Sequence, residues 1–339
     1  MQEKSLFSEA VKRKAAPLHV TCCSPEELAL FLSEGTQSLL GVAGYSKYTV
    51  NDPVFPAPFI HIPIAPVEDD VLFELWSTDE SVRYERHGPI HLAYGSTILF
   101  GCLTVDSLPG DNLAIGTEKA YRLLFSHMDC SGYGNLLRIW HFISHISDDS
   151  SGLERYRAFN EGRYRAFVAC GKDVRNAPAA SALGSPEGPL AIYFIASKFP
   201  GVPLENKRQV SAYNYPKDYG PCSPVFSRAM RASCQTFISG TASIVGHASM
   251  YRGDLSEQTR ETIANLCVLL TNDKDGSLPS SGMRFKAYLR YPGHLPFVRE
   301  ALSEKFGSQT PVAFFQAQIC RRELLLEIEG TLDSTGPSL

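Results

Sequence analysis

The sequence lacks the short motifs that announce common chemistry. It contains no CxxC, no HExxH, no GxGxxG and no GxxxxGK[ST], so no zinc site, metalloprotease helix or nucleotide-phosphate loop can be read from it. Nine cysteines, an odd number, fall at scattered positions. That pattern fits reduced thiols in a cytoplasmic protein better than a disulfide framework. No run reaches the roughly 18 uninterrupted apolar residues of a membrane helix. The first residues, MQEKSLFSEAVKRKAAPLHV, carry charge without an apolar segment and do not read as a secretory signal. Basic excess is missing too, with 32 Lys and Arg against 36 Asp and Glu and a net charge of −4. Nucleic acid and membrane surfaces are therefore not expected partners. What is present is an ordinary globular composition, 44% hydrophobic, over 339 residues. That length favours two domains over one core.

The chain also repeats itself. STILFGCLTVD (96–106), LAIGTEKAYRLLFSHM (113–128) and LLRIWHFISHI (136–146) follow the same plan as CQTFISGTASIVGH (234–247), DLSEQTRETIANLCVLL (254–270) and MRFKAYLRY (283–291). Each set opens with a β-branched and aromatic run broken by a glycine, Gly101 or Gly240, as a strand under close backbone approach would be. An amphipathic segment follows, with apolar residues three and four apart, as at Ile263, Leu266, Cys267 and Leu270. Asp254 and Ser256 are the available N-cap residues for it. ERYRAFNEGRYRAF (154–167) and PFVREALSEKF (296–306) read as second helices. PAASALGSPEGPLAIYFIA (178–196) then runs without gaps alongside PVAFFQAQICRRELLLEIE (311–329), which sets Glu327 opposite Phe194. The expected fold is α+β, with each half a mostly antiparallel mixed sheet and helices on one face. The linker is KFPGVPLENKRQ (198–209). It divides an N-terminal domain with an extension (1–200) from a C-terminal catalytic domain (201–339). The five prolines of 45–70 suggest loop or edge segments there.

In the second half FISGTASI, the helix DLSEQTRETIANLCVLL, MRFKAYLRYPGHLPFVREALSEKF, Pro311 and the closing LEIEG resemble the YjgF/RidA family. The resemblance implies two tandem units of that fold, which is also the chorismate-mutase-like fold. Small trimeric members carry a carboxylate-binding arginine just after this proline, where the present chain has Val312 and Ala313. Over nearly the whole chain, RIWHFISHIS, ERYRAFNEGRYRAF, PAASALG, QVSAYNYPKDYGPCSPVFSRA, FISGTASIVGHAS and CRRELLLEIEG resemble the chorismatases. That resemblance implies chorismate as substrate, loss of its enolpyruvyl group as pyruvate, and no cofactor or metal.

The residues themselves leave alternatives open. Glu327 and Glu329 could line the solvent face of an edge strand, as glutamates usually do. Glu327 could instead be an acid desolvated by Leu325, Leu326 and Ile328 and held protonated near neutral pH. Protonating the enolpyruvyl methylene needs such a donor, and the resemblance favours that role; Glu329 is assigned to structure. Cys320, seven residues before Glu327, would face oppositely in an unbroken strand. A bulge or turn at Arg321-Arg322 must bring the two together. Alone, Cys320 reads as a small buried hydrophobe. The resemblance makes it the mark of the branch that forms 3-hydroxybenzoate, where a thiol shuttles a proton around the ring. In the loop around Tyr213, Tyr215 and Tyr219, the rings either pack at a domain junction or bind substrate. Arg228 suits a substrate carboxylate. Arg155, Arg157, Arg163 and Arg165 read as a solvated helix face, but the resemblance directs Tyr156 and Arg163 into a cleft between the halves. Gly240 and Ala242 either pack closely or limit how the substrate ring sits.

The function expected is a chorismatase releasing pyruvate and 3-hydroxybenzoate, alone or with some 4-hydroxybenzoate. The alternatives are a hydrolytic chorismatase forming a dihydroxycyclohexadiene carboxylate, and a YjgF/RidA-like imine deaminase or binding module. A monomer is expected, because a doubled chain supplies contacts that smaller relatives make between subunits.

Overall fold

A computed structural model of the chain describes residues 17–48, 56–106, 112–150, 152–233, 235–271 and 277–333. Among the described residues five α-helices form: α1 (Pro25–Glu34), α2 (Leu113–Ser131), α3 (Arg155–Ala169), α4 (Leu255–Leu270) and α5 (Leu295–Phe306). Ser24 and Glu27 close a capping box on α1, satisfying two amides that the first turn leaves free. Asn112 caps α2, and Gly132 ends it in the left-handed conformation at φ 80°. Asp254, rather than Ser256, accepts from the Glu257 amide and starts α4.

The two halves share one topology. In the first, the strands lie in the order Ala179–Ser185, Asn135–Ser144, Leu190–Ser197, Ile98–Val105, Ile90–Tyr94 and Arg83–His87. In the second, Val312–Gln316, Met283–Leu289, Leu326–Asp333, Gln235–Thr241, Ala229–Ala232 and Val202–Leu204 repeat that order. The first pair of each sheet is parallel and the other pairs are antiparallel. Helices α2 and α3 cover one face of the first sheet, and α4 and α5 one face of the second. This is the expected α+β fold of two tandem YjgF/RidA-like units. A short strand from the second half, Gln318–Ile319, pairs with Leu183 and Gly184 and binds the halves into one body.

A third unit precedes them, and the sequence reading missed it. Phe59–Ile62, Leu39–Ser46, Val71–Thr78 and Leu18–Cys23 repeat the same strand order, again with one parallel pair at the start. Among the described residues it carries one helix, α1, where the other units carry two. Within the proline-rich 45–70 stretch Phe59–Ile62 forms an edge strand of this sheet, in keeping with the loop or edge segments expected there.

The three sheets turn their helix-free faces inward around a shared core. Tyr45, Trp76, Phe100, Trp140, Tyr193 and Phe315 meet there, and each ring contributes about 2 kcal/mol by burial. The Trp140 and Tyr193 rings stack with centroids 4.3 Å apart.

This facing corrects one detail of the repeat. Phe194 points outward among the residues packed on α2 and α3. Leu326 and Ile328 point outward onto α4 and α5, so Glu327 between them points inward. The gapless alignment of Glu327 with Phe194 is thus out of step in face, since a one-residue slip turns every side chain over. The carboxyl does not replace that aromatic. Among the described residues, no helix is long and apolar enough to cross a membrane.

Candidate active site

Where the second sheet meets the first, a cleft of ≈ 600 Å³ opens. It is lined by Glu327, Cys320, Arg228, Tyr219, Arg163, Tyr156, Gly240 and Ala242. Eight residues chosen from sequence thus converge on one cavity. Tyr213 does not line it. The 3₁₀ turn Ala212–Asn214 carries its ring elsewhere, toward Arg175, and Tyr215 faces the cleft in its place.

Glu327 is 4% exposed. Gly240 lies directly beneath it: a methyl group added there would overlap the carboxyl. Burial, helped by the negative charge of Glu329, pushes the Glu327 carboxyl up to about 8. The group therefore holds its proton at neutral pH, as an acid in an apolar pocket does. Cys320 reaches it because the chain turns at 320–323 between the Gln318–Ile319 strand and the Leu326–Asp333 strand. The Cys320 thiol sits 3.9 Å from Glu327 Oε2. Burial and the neighbouring Glu327 push that thiol far up, so it stays undissociated. A carboxyl and a thiol side by side, both protonated, have the chemistry to serve as a proton donor with a relay.

The cations are placed for an anionic ligand. Arg163 is 1% exposed and Arg228 4%. Neither forms an ion pair with a carboxylate among the described residues. Arg163 donates to Asn160 Oδ1 at 2.7 Å and lies over the Phe159 ring. Arg228 donates to Val210 O and to the Tyr215 hydroxyl, each at 2.8 Å. The Nε of each has no acceptor. Buried guanidinium groups without counter-charge are costly unless something anionic occupies the space beside them. Gly162 brings α3 to its depth, because any side chain there would strike Ala114 and Thr117 of α2. The next residue, Arg163, is thereby carried into the cleft wall.

The mouth holds residues that the sequence reading did not assign. Arg157, Arg252, Arg321 and Arg322 all line it. Arg321 lies 4.3 Å over the Tyr219 ring and donates to His247 O at 2.9 Å. Arg322 donates to Ser147 O. The signal was the CRR of the closing motif, read only as a turn.

Glu329 is 1% exposed and bound on all sides. It accepts from Arg138 at 2.7 Å, Trp140 Nε1 at 2.7 Å, Tyr288 at 3.1 Å and the Ser181 hydroxyl, and pairs with Lys286 at 2.8 Å. Burial alone would raise its carboxyl; Lys286 and Arg138 instead hold it down at about 2. The Lys286 ammonium also contacts Glu74 at 2.9 Å. The two histidines of HFISH do not form a metal site. His141 is buried against Tyr121 and the Ser181 carbonyl, and His145 is exposed beside Asp148. No group of three or more metal-ligating side chains forms among the described residues.

Comparison with known proteins agrees with this geometry. Residues 74–196 match the family described as chorismatase FkbO/Hyg5-like, N-terminal. The chain is 35% identical over 320 residues to a 3-hydroxybenzoate synthase of Streptomyces hygroscopicus, covering 87% of this chain and 92% of that one. The chain belongs to the chorismatase family. A second chorismatase, from Streptomyces rapamycinicus, is 30% identical over 93% of this chain and 99% of its own. A chorismatase crystal structure superposes with a TM-score of 0.84 at 27% identity, over 94% of this chain and 98% of that one. As a chorismatase-family enzyme, the chain places its cleft between two full YjgF/RidA-like units, with acid and thiol on the second and Arg163 on the first.

Proposed function

We propose that this enzyme converts chorismate to 3-hydroxybenzoate and pyruvate in the Glu327 cleft. One observation carries the reading: a carboxyl held protonated lines the same cleft as two buried arginines that form no ion pair among the described residues. Chorismate is a dianion with an enol ether, so it needs two cations and one acid. Arg163 and Arg228 hold its carboxylates. Glu327 delivers its proton to the enolpyruvyl methylene carbon, and the positive charge that develops favours cleavage of the bond between the ring and the ether oxygen. Pyruvate leaves with the added proton. The ring that remains carries its hydroxyl on C4. That oxygen bridges to C3 as the ether bond breaks, and the bridge reopens at C4 to leave the oxygen on C3. Loss of the C3 proton makes the ring aromatic, one proton being released overall. No water is consumed. Cys320 passes its own S–H proton to the Glu327 carboxylate as it takes up the ring proton, which restores both acid and thiol. Gly240 and Ala242 leave room for a flat ring against the strand.

The hydrolytic alternative consumes one water and ends at the dihydrodiol acid; an inert side chain at position 320 would suit it better than a thiol. An imine deaminase is disfavoured because Val312 and Ala313 supply no carboxylate-binding arginine. The test is incubation with chorismate, following pyruvate by a coupled assay and the ring product by absorbance and mass. Pyruvate with 3-hydroxybenzoate is expected. Pyruvate with the dihydrodiol acid would move the enzyme to the hydrolytic branch, and no pyruvate would remove both readings.

A further inference from the structure

The three sheets make three junctions, and these are not filled alike. The second sheet against the first forms the Glu327 cleft. The first sheet against the N-terminal sheet is solid, with the Phe100 ring filling the space over Gly41 and the Cys102 thiol at the Phe59 carbonyl. The N-terminal sheet against the second sheet leaves a separate cavity of ≈ 450 Å³. It occupies the position equivalent to the Glu327 cleft. In the cleft, the Gln235–Thr241 and Leu326–Asp333 strands face Ala179–Ser185; in the cavity, Leu18–Cys23 and Val71–Thr78 face Val312–Gln316.

Its walls carry hydrogen-bond donors without acceptors. Trp76 Nε1, Arg138 Nε and Arg284 Nε are buried, and none has a partner. Trp76 is fully buried. An unmet donor in a protein interior is rare and costs about 1–3 kcal/mol. Trp76 and Arg138, 0% and 1% exposed, lie behind the cavity surface, and the half-buried Arg284 is the cation of this group that a ligand in the cavity can reach. The charges set how many negative charges such a ligand carries. Arg138 and Lys286 are matched by Glu329 and Glu74. Arg284 has no carboxylate partner among the described residues and is left as one uncompensated cation. Glu68 and Asp69 stand in the lining, Glu68 paired with Arg299, and they oppose a second negative charge. Leu72, Trp140, Phe285, Val312 and Phe314 supply apolar walls.

We propose that this cavity is a second ligand site, for a small aromatic monocarboxylate. The carboxylate accepts from the Arg284 guanidinium, and the ring packs on the apolar walls. The site differs from the Glu327 cleft in taking one negative charge instead of two, and it holds no acid free to react, since both of its inner carboxylates are ion-paired.

Benzoate serves as the probe. Cys22, a thiol in the cavity lining that burial and Glu74 push up to about 12 and so make slow to alkylate, serves as the reporter, with its rate compared with and without benzoate. At a benzoate concentration ten times its Kd, alkylation of Cys22 by N-ethylmaleimide is expected to slow about tenfold. Cys130, exposed on α2, is the internal control and keeps its rate. The protection persists in Arg228→Met, which disables anion binding in the other cleft, and weakens at least about tenfold in Arg284→Met. Equilibrium dialysis of labelled benzoate against Arg228→Met supplies a readout that does not depend on the Arg284 variant folding. One benzoate per chain with Cys22 protected supports the site. No benzoate bound to that variant, binding that leaves Cys22 unprotected, or equal protection in a folded Arg284→Met would overturn it. Failure of chorismate turnover would leave these results unaffected, so the two proposals stand or fall separately.

Discussion

Glu327 and Glu329 lie two residues apart on one strand, face the same way and are both buried, yet they hold opposite protonation states. Glu329 meets Arg138, Trp140, Ser181, Lys286 and Tyr288, contributed by two different sheets. Its charge is fixed by those partners. Glu327 meets a glycine, a thiol and a cavity. Burial without a partnered cation makes it an acid. The strand supplies both carboxyls at the same depth, and the neighbouring units decide which one is held ionised and which one keeps its proton.

The largest effect that would break this contrast is at Glu327 itself. Glu327→Gln is expected to cut kcat by about a thousandfold or more while leaving chorismate binding nearly unchanged. Stopped assays for rate and equilibrium dialysis for binding check both, and a rate near wild type would remove Glu327 from its role. Glu329→Gln should act on stability first. It leaves Arg138 and Lys286 buried with one counter-charge fewer, and urea denaturation is expected to show a loss of about 3–5 kcal/mol. Gly240→Ala comes next. The methyl displaces the Glu327 carboxyl, and a misplacement of that kind costs kcat about a hundredfold with little change in Tm.

The two carboxyls also predict opposite responses to pH. Glu327 is raised to about 8 in the folded chain, so its contribution to stability is present below its unfolded value and is lost as pH rises through about 8. Glu329 is depressed to about 2, so its contribution is present above its unfolded value and is lost as pH falls toward about 2. Denaturation curves across pH should therefore lose their decline between about 4.5 and 8 in Glu327→Gln and part of their rise between about 2 and 4.5 in Glu329→Gln. On the proposed mechanism the protonated form is the active one, and activity should fall above about pH 8. The smallest change is at Cys320. Cys320→Ala should keep most pyruvate release and shift the ring product toward the dihydrodiol acid, read by mass; an unchanged product would count against the relay.

Much of this was legible because local signals agreed. The repeated order of glycine-broken strand, amphipathic helix and alternating strand gave the two larger units, and CRRELLLEIEG marked the acid, thiol and turn together. The N-terminal unit escaped because it lacks a second patterned helix among the described residues and because its prolines mimic loop. Glu329 could not be understood from its own segment, since Arg138, Trp140 and Ser181 lie far away in sequence. The pairing with Phe194 failed because a gapless alignment is blind to which face a strand presents. Tyr213 and Tyr215 are two residues apart, and only the 3₁₀ turn decides which ring enters the cleft.

The most direct test of the central claim is the protonation state of Glu327 itself. Infrared difference spectra between the wild-type protein and Glu327→Gln at neutral pH should show a protonated-carboxyl C=O band that disappears in the variant, persists in Glu329→Gln and titrates away as pH rises through about 8. A carboxylate signal for Glu327 at neutral pH, with no such band, would contradict the account.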